Sequence, residues 1–224
     1  MEFSGKKVTV VGTGISGIGA VGLLNAVGAE VVLYDGNEKL KIEDIEKKLG
    51  TYKAEIVLGE LTKELTDSSD LLVISPGVPI DSPVVKAFEA AGVPVWGEVE
   101  LAYAFDKGKV LAITGTNGKT TTTALVGQIV GAYHKDTFVV GNIGNPYTTE
   151  VLKSNKDSYT VAEISSFQLE TVHEFHPLVS AILNITPDHL NRHYTMDCYV
   201  QTKEKIAMNQ KGSEVCVLNF DDDY

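Results

Sequence analysis

Several things are scarce in this chain of 224 residues. Cysteine occurs twice, at Cys198 and Cys216, too few and too far apart for a disulfide framework or a cysteine-based zinc site. That usage fits a reducing compartment, and a cytoplasmic location is expected. No apolar run approaches the ~20 residues of a membrane-spanning helix, and the start, Met1 to Lys7, enters a β-rich run with no secretory apolar segment. Positive charge is short: 19 Lys and Arg stand against 30 Asp and Glu, a formal charge of -11. A nucleic-acid binder needs a basic surface, so that class is excluded, whereas a nucleotide needs only local positive groups. There is no internal repeat and no low-complexity stretch.

What is present is a parallel α/β pattern. The stretch Thr114-Gly115-Thr116-Asn117-Gly118-Lys119-Thr120-Thr121 follows the apolar run 109–113 and precedes a helical run over 121–130. Strand, glycine turn, Gly-Lys-Thr and helix is the arrangement that wraps a nucleotide's phosphates. The glycines let backbone N–H groups converge on an anion, and the helix start adds partial positive charge. Lys119 is expected to reach the β and γ phosphates of ATP, and Thr120 a magnesium ion. Ile113 stands where the full pattern has its first glycine. An ordinary strand-to-helix turn is the plainer reading, and it leaves the order of glycine, lysine and hydroxyl unexplained.

Earlier in the chain, a β-rich run over 6–11 ends in Gly12-Thr13-Gly14-Ile15-Ser16-Gly17, followed by a helical run over 16–28 and a strand over 30–34 closed by Asp35. This is a GxGxxG turn in a βαβ unit, able to seat a diphosphate at the helix start. Taken literally it is a dinucleotide fingerprint with Asp35 on a ribose, which makes an NAD-dependent oxidoreductase the rival reading. Glycines that only pack are the plainer one. The pattern continues with a helix over 39–49, strands over 55–58 and 70–75, a helix over 83–91, a strand over 94–96 and a helix over 98–105. The strand over 70–75 runs into Ser75-Pro76-Gly77, a loop on the sheet edge where α/β folds bind ligands, or simple turn chemistry. Asp106-Lys107-Gly108 breaks the pattern, and the boundary is placed there: residues 1–106 form a Rossmann-like domain and 107–224 a P-loop-type ATPase domain.

The second unit has strands expected over 137–140, 159–164, 178–185 and 214–218, and a helix over 197–208 that carries Lys203. Glu163 and His189 fall near strand ends on the edge that Thr120 reaches, a plausible magnesium (Mg2+) site, since that ion takes oxygen ligands and keeps several waters. Glu163 could instead cap a helix, and His189 could be an ordinary turn histidine. Lys203, by spacing alone, reads as a surface lysine. The chain stops soon after laying down a strand, so a fragment of a longer protein is expected, one that binds nucleotide at most and ligates nothing alone. A non-catalytic P-loop switch is the remaining alternative, and the polar groups at 163, 189 and 203 speak against it.

Four motifs occur in order: Thr114-Gly-Thr-Asn-Gly-Lys-Thr-Thr, Gly141-Asn-Ile-Gly, Glu163-Ile-Ser-Ser-Phe-Gln-Leu-Glu and Asn184-Ile-Thr-Pro-Asp-His-Leu. With the GxGxxG unit before them and Gly97-Glu-Val-Glu-Leu between, the chain resembles the Mur ligase family over its whole length. The resemblance implies a UDP-substrate-binding first domain and roughly half of a central ATPase domain. It implies an ATP-dependent ligase of peptidoglycan synthesis that joins D-glutamate to UDP-N-acetylmuramoyl-L-alanine through an acyl phosphate. Gly115 to Thr121 would hold ATP. Thr120, Glu163, His189 and Lys203 would hold magnesium, Lys203 as a carbamate, and Lys119, Lys203 and His189 would serve catalysis. Thr13, Ile15, Ser16, Ser75 and Gly77 would hold the UDP end, and Asn142 and Gln168 the muramoyl-alanine part. A monomer is expected, with no nucleic-acid or membrane partner. Asp35-Gly36-Asn37 and Asn191 depart from the family pattern. Asn117 disfavours the ligase that adds L-alanine, which has histidine there.

Overall fold

The computed structural model describes residues 2–224. The first unit runs β1 Lys7–Val11, α1 Ile15–Ala26, β2 Glu30–Asp35, α2 Ile42–Leu49, β3 Glu55–Leu58, α3 Lys63–Ser68, β4 Leu71–Ile74, α4 Pro83–Ala90 and β5 Val95–Gly97. Its strands are all parallel, in the order β3-β2-β1-β4-β5. Alternation along each strand sorts the side chains onto two faces. Val31 and Leu33 of β2 join Leu24 and Ile45 in one core, and Val32 and Tyr34 join Leu65, Val85 and Phe88 in the other. The sheet is therefore covered on both faces, as a parallel sheet built from crossovers must be.

After α5 (Glu98–Tyr103) come β6 Lys109–Thr114, α6 Lys119–Tyr133, β7 Thr137–Gly141, α7 Tyr147–Glu150, β8 Tyr159–Glu163, α8 Ser166–Leu169, β9 Val179–Ile182, α9 Leu190–His193, α10 Met196–Glu204 and β10 Val215–Leu218. The second sheet is also parallel, in the order β10-β9-β6-β8-β7. In each sheet the strand order reverses beside the strand that feeds a glycine turn: β1 lies between β2 and β4, and β6 between β9 and β8. Such switch points open a crevice at the carboxyl ends of the strands.

The two units share packing. The core that holds Leu24 and Ile45 continues into Ala112, Val140, Tyr147 and Leu169. Fully buried Tyr147 donates to Asp106 Oδ2 at 2.6 Å, and Thr160 donates to the same oxygen at 2.7 Å. Glu100 receives the backbone N–H groups of His173, Glu174 and Phe175 at 2.7–3.2 Å.

The strand expected over 178–185 stops at Ile182. Residues 183–186 leave the sheet because their backbone binds the phosphate-loop segment: Thr116 N donates to Asn184 O at 2.8 Å. The helix expected from 121 begins at Lys119 and runs on to Tyr133. The short helices α3, α7, α8 and α9 were not expected, being four to six residues long and too brief to show a helical period.

Candidate functional site

The first turn leaves β1 through Gly12 and enters α1 at Gly14, which has no side chain to cap the helix. The N–H groups of the first helical turn therefore face outward as anion donors. The turn is tight: a Cβ on Gly17 would lie 1.9 Å from the Gly12 carbonyl oxygen. Asp35 pins it, receiving the Thr13 hydroxyl at 3.0 Å and the Thr13 N–H at 3.3 Å, while its other oxygen takes the Asn37 N–H. Lys48 donates to Thr13 O at 3.3 Å. Ser75, at the end of β4, holds its backbone N–H on Val11 O, and its Oγ is buried with no hydrogen-bond partner among the described residues. Ser75 Oγ lies against the turn, 2.7 Å from a notional Cβ on Gly12 and 3.3 Å from one on Gly17, while Ile15 and Gly77 are exposed. A cleft of about 580 Å3 opens beside the turn, lined by Thr13, Gly14, Ile15, Lys48, Tyr52 and Glu150.

The second turn is bound from two sides. Gly118, at φ 81°, sets the left-handed step into α6. Asn184 accepts the Asn117 N–H at 2.8 Å and donates back to Asn117 O at 3.0 Å. The Thr116 hydroxyl meets Thr186 O and Tyr199 OH, each at 3.1 Å. Lys119 folds back over the turn, its Nζ donating to Gly115 O at 2.9 Å and Thr116 O at 2.8 Å. Thr120 and Thr121 are exposed at the helix start.

Lys203 comes from α10 and is fully buried, its Nζ 2.8 Å from Gly115 O and 4.7 Å from the centre of the Tyr199 ring. Burial pushes its pKa down to about 7; Lys119 adds to that and Asp188 opposes it. The surface lysine expected from spacing is therefore a buried amine, neutral in part near pH 7, sharing one carbonyl with Lys119.

Glu163 ends β8, paired with Ile113 of β6. Its Oε1 accepts from Asn142 Nδ2 at 2.7 Å, and its Oε2 is buried with no hydrogen-bond partner among the described residues. A buried carboxylate oxygen left over in this way suits a cation. His189, at φ 51°, is half exposed, 3.5 Å from Asp188 and against the Phe167 ring. No group of three or more His, Cys, Asp or Glu gathers as a ready-made metal site among the described residues.

Gln168 is buried and engaged at both ends of its amide. Its oxygen receives Ser165 N at 2.8 Å and Ser165 Oγ at 2.9 Å, and its nitrogen donates to Glu98 Oε1 at 2.7 Å.

Sequence reading passed over a second cluster. Arg192 donates to Glu170 through Nε and Nη2, and to Val78 O at 2.9 Å, so it ties the loop after His189 to the loop after Ser75. Tyr194 donates to Asp81 at 2.6 Å across the same seam. His193 is buried against Ser166 Oγ at 2.9 Å, with burial lowering its pKa. The signal available was position: these residues follow directly on the Asp-His-Leu and Phe-Gln-Leu-Glu motifs.

Residues 6–97 match the description "Mur ligase MurD-like, N-terminal domain", and residues 113–224 match "Mur ligase middle domain". The chain belongs to the Mur ligase family. A curated relative from Lachnospira eligens, named UDP-N-acetylmuramoylalanine–D-glutamate ligase, is 70% identical over 224 residues, which is 100% of this chain and 50% of that protein. A relative of the same name from Lachnoclostridium phytofermentans is 57% identical over 225 residues, again 100% and 50%. The chain thus spans about half the length of the curated relatives it matches. Among solved structures, the UDP-N-acetylmuramate:L-alanyl-gamma-D-glutamyl-meso-diaminopimelate ligase from Neisseria meningitides shares the fold. Its TM-score is 0.60 at 17% identity, covering 97% of this chain and 72% of that one. No helix among the described residues of this Mur ligase chain is long and apolar enough to cross a membrane.

Proposed function

We propose that the intact protein is an ATP-dependent amide ligase acting in the cytoplasm, joining D-glutamate to UDP-N-acetylmuramoyl-L-alanine in peptidoglycan synthesis. The observation that carries this is the second turn, where Lys119 and Lys203 meet at the Gly115 carbonyl beside Glu163. A lysine cation over a glycine turn that opens a helix, with a second amine beside it, suits a polyphosphate. The names of the relatives at 70% and 57% identity support the choice of substrates.

A carboxylate resists amide formation because an oxide would have to leave. In the proposed reaction the substrate carboxylate takes the γ-phosphoryl group of ATP, and the amine of D-glutamate then displaces phosphate from the acyl phosphate. Residues 115–121 would hold the phosphates through backbone N–H groups. Lys119 would leave the carbonyls of Gly115 and Thr116 for the β and γ phosphates, screening charge as it moves to the leaving oxygen. Magnesium, held by Thr120, Glu163, His189 and Lys203, would neutralise phosphate charge when bound. Lys203 suits that role because an amine neutral near pH 7 can add carbon dioxide to become a carbamate, a cation turned carboxylate. The first turn would hold the UDP diphosphate on the N–H groups of Ile15 and Ser16, with Thr13, Ser75 and Gly77 around it. Asn142 and Gln168 would line the path of the muramoyl-alanine arm.

Phosphate release from ATP by the intact protein tests this, with UDP-N-acetylmuramoyl-L-alanine and a panel of amino acids supplied. D-glutamate should drive release far above every other amino acid. Equal release with L-alanine or a dibasic amino acid would refute the assignment.

A further inference from the structure

We infer that Arg192 is a positioning residue that clamps the His189 segment of the second unit onto the Ser75 turn of the first, so that the reactants held on either side meet in line. It rests on the reading that the Ser75 turn flanks the UDP end of the substrate and the His189 segment the phosphates of ATP. The main chain ties Arg192 to one side: its N–H donates to His189 O at 2.9 Å, and the His193 N–H donates to the same oxygen at 3.0 Å. These bonds hold His189 at φ 51°, a left-handed conformation uncommon for a residue with a side chain. The side chain ties Arg192 to the other side: Nη2 donates to Val78 O at 2.9 Å, and the Val78 N–H donates to Ser75 O at 2.9 Å. One residue therefore joins the backbone of His189 to the turn that Ser75 begins.

The guanidinium is held in one plane. Nε and Nη2 both donate to the Glu170 carboxylate, a two-point fork that a lysine could not reproduce. The two side chains are only 12% and 6% exposed, so the pair is shielded from salt and keeps its geometry. The guanidinium carbon lies 4.9 Å from the centre of the Phe167 ring, and the Phe167 and His189 rings lie 4.9 Å apart. The His189 imidazole is thus seated through Phe167 as well as through its own backbone. Phe167 and Glu170 belong to the stretch that begins at Glu163, so the clamp gathers residues 75–78, 163–170 and 189–193. The Tyr194–Asp81 bond crosses the same seam, but Tyr194 is 70% exposed, and water competes for such a bond. Arg192 is therefore the member whose loss lets these segments drift apart.

The test follows amide formation by the intact protein carrying R192A, R192K, E170A and the R192A/E170A pair. UDP and a non-hydrolysable ATP analogue are also titrated singly by calorimetry. R192A should lower kcat about a hundred-fold, the scale of an ångström's misplacement between reacting groups, while affinity for UDP alone and for the analogue alone stays within about two-fold. R192K keeps the charge and loses the fork, so its kcat should fall by about ten-fold or more. The pair should be no slower than R192A, since both changes release one clamp. If R192A does not fold, R192K and E170A carry the test. A parent-like kcat in R192K, additive losses in the pair, or a loss carried by ligand affinity rather than kcat overturns the inference. A parent protein that binds no UDP, or forms no amide with D-glutamate, would instead overturn the underlying reading, so the two failures are distinct.

Discussion

At the first turn a carboxylate, Asp35, receives the N–H and the hydroxyl of Thr13; at the second, two lysines converge on the Gly115 carbonyl. Both turns leave the central region of a parallel sheet, enter a helix through a glycine and expose N–H groups. They differ in charge and in slack. The first is held by an anion and packed so closely that Gly17 touches the Gly12 carbonyl. The second carries two lysine amines on the Gly115 carbonyl, that of Lys203 also 3.5 Å from Thr114 Oγ1 and over the Tyr199 ring, and its glycine Gly118 has Leu183 at an ordinary 3.7 Å from a notional Cβ. A rigid turn with little charge suits a ligand that is gripped and left unchanged. A turn that carries lysine amines suits one whose charge shifts during reaction.

The largest expected effect falls on the charged turn. Lys119→Ala in the intact protein should lower ligand-dependent phosphate release about a thousand-fold, the scale of losing a main electrostatic group at a phosphoryl centre. A rate within a few-fold of the parent would erase the contrast between the turns.

Slack is tested by matched substitutions. In Gly17→Ala the new methyl meets a backbone carbonyl, which cannot swing away, so a loss of roughly 3 kcal/mol is expected in denaturant unfolding. Gly118→Ala has space and suffers only the left-handed backbone, for about 1 kcal/mol. Equal losses would mean the turns are equally tight.

Lys203 gives a pH test. Its amine titrates near 7 in the fold and near 10.5 when unfolded. Between those values the unfolded chain binds the extra proton, so the parent gains stability as pH rises from 7 to 10.5 and carries the full cost of the buried charge below 7. Lys203→Met should therefore be more stable than the parent at pH 6, by about 2 kcal/mol, with the advantage shrinking toward pH 10. Urea unfolding at pH 6, 8 and 10 reads this directly, and an advantage that grew with pH would contradict the assignment. The smallest effect is at Thr13: Thr13→Val, which loses one hydrogen bond to Asp35, should weaken UDP binding about five-fold and leave the KM for ATP unchanged.

The strands were legible because apolar runs such as 109–113 and 71–74 are bounded by glycine, proline or aspartate, which mark where a buried parallel strand ends. Both turns were legible because glycine spacing is a backbone requirement and shows in sequence. The burial of Lys203 was not, since α10 carries mixed polar residues and nothing local says that its lysine points at Gly115. Nor were Glu98 and Arg192, whose partners lie 70 and 114 residues away. Such pairings depend on how the two units pack, and no window of neighbouring residues contains that. The strand over 178–185 was read too long for a related reason: Leu183 and Ile185 are apolar, and the backbone of this segment serves the phosphate-loop segment.

The measurement that bears most directly on the account is a crystal structure with UDP and a non-hydrolysable ATP analogue bound together. The account places the UDP diphosphate on the N–H groups of residues 15–17 beside Ser75 Oγ, and the triphosphate on residues 115–120 with Lys119 released from the carbonyls of Gly115 and Thr116. A bend at 114–121 left empty, with Lys119 still folded onto those carbonyls, would contradict it.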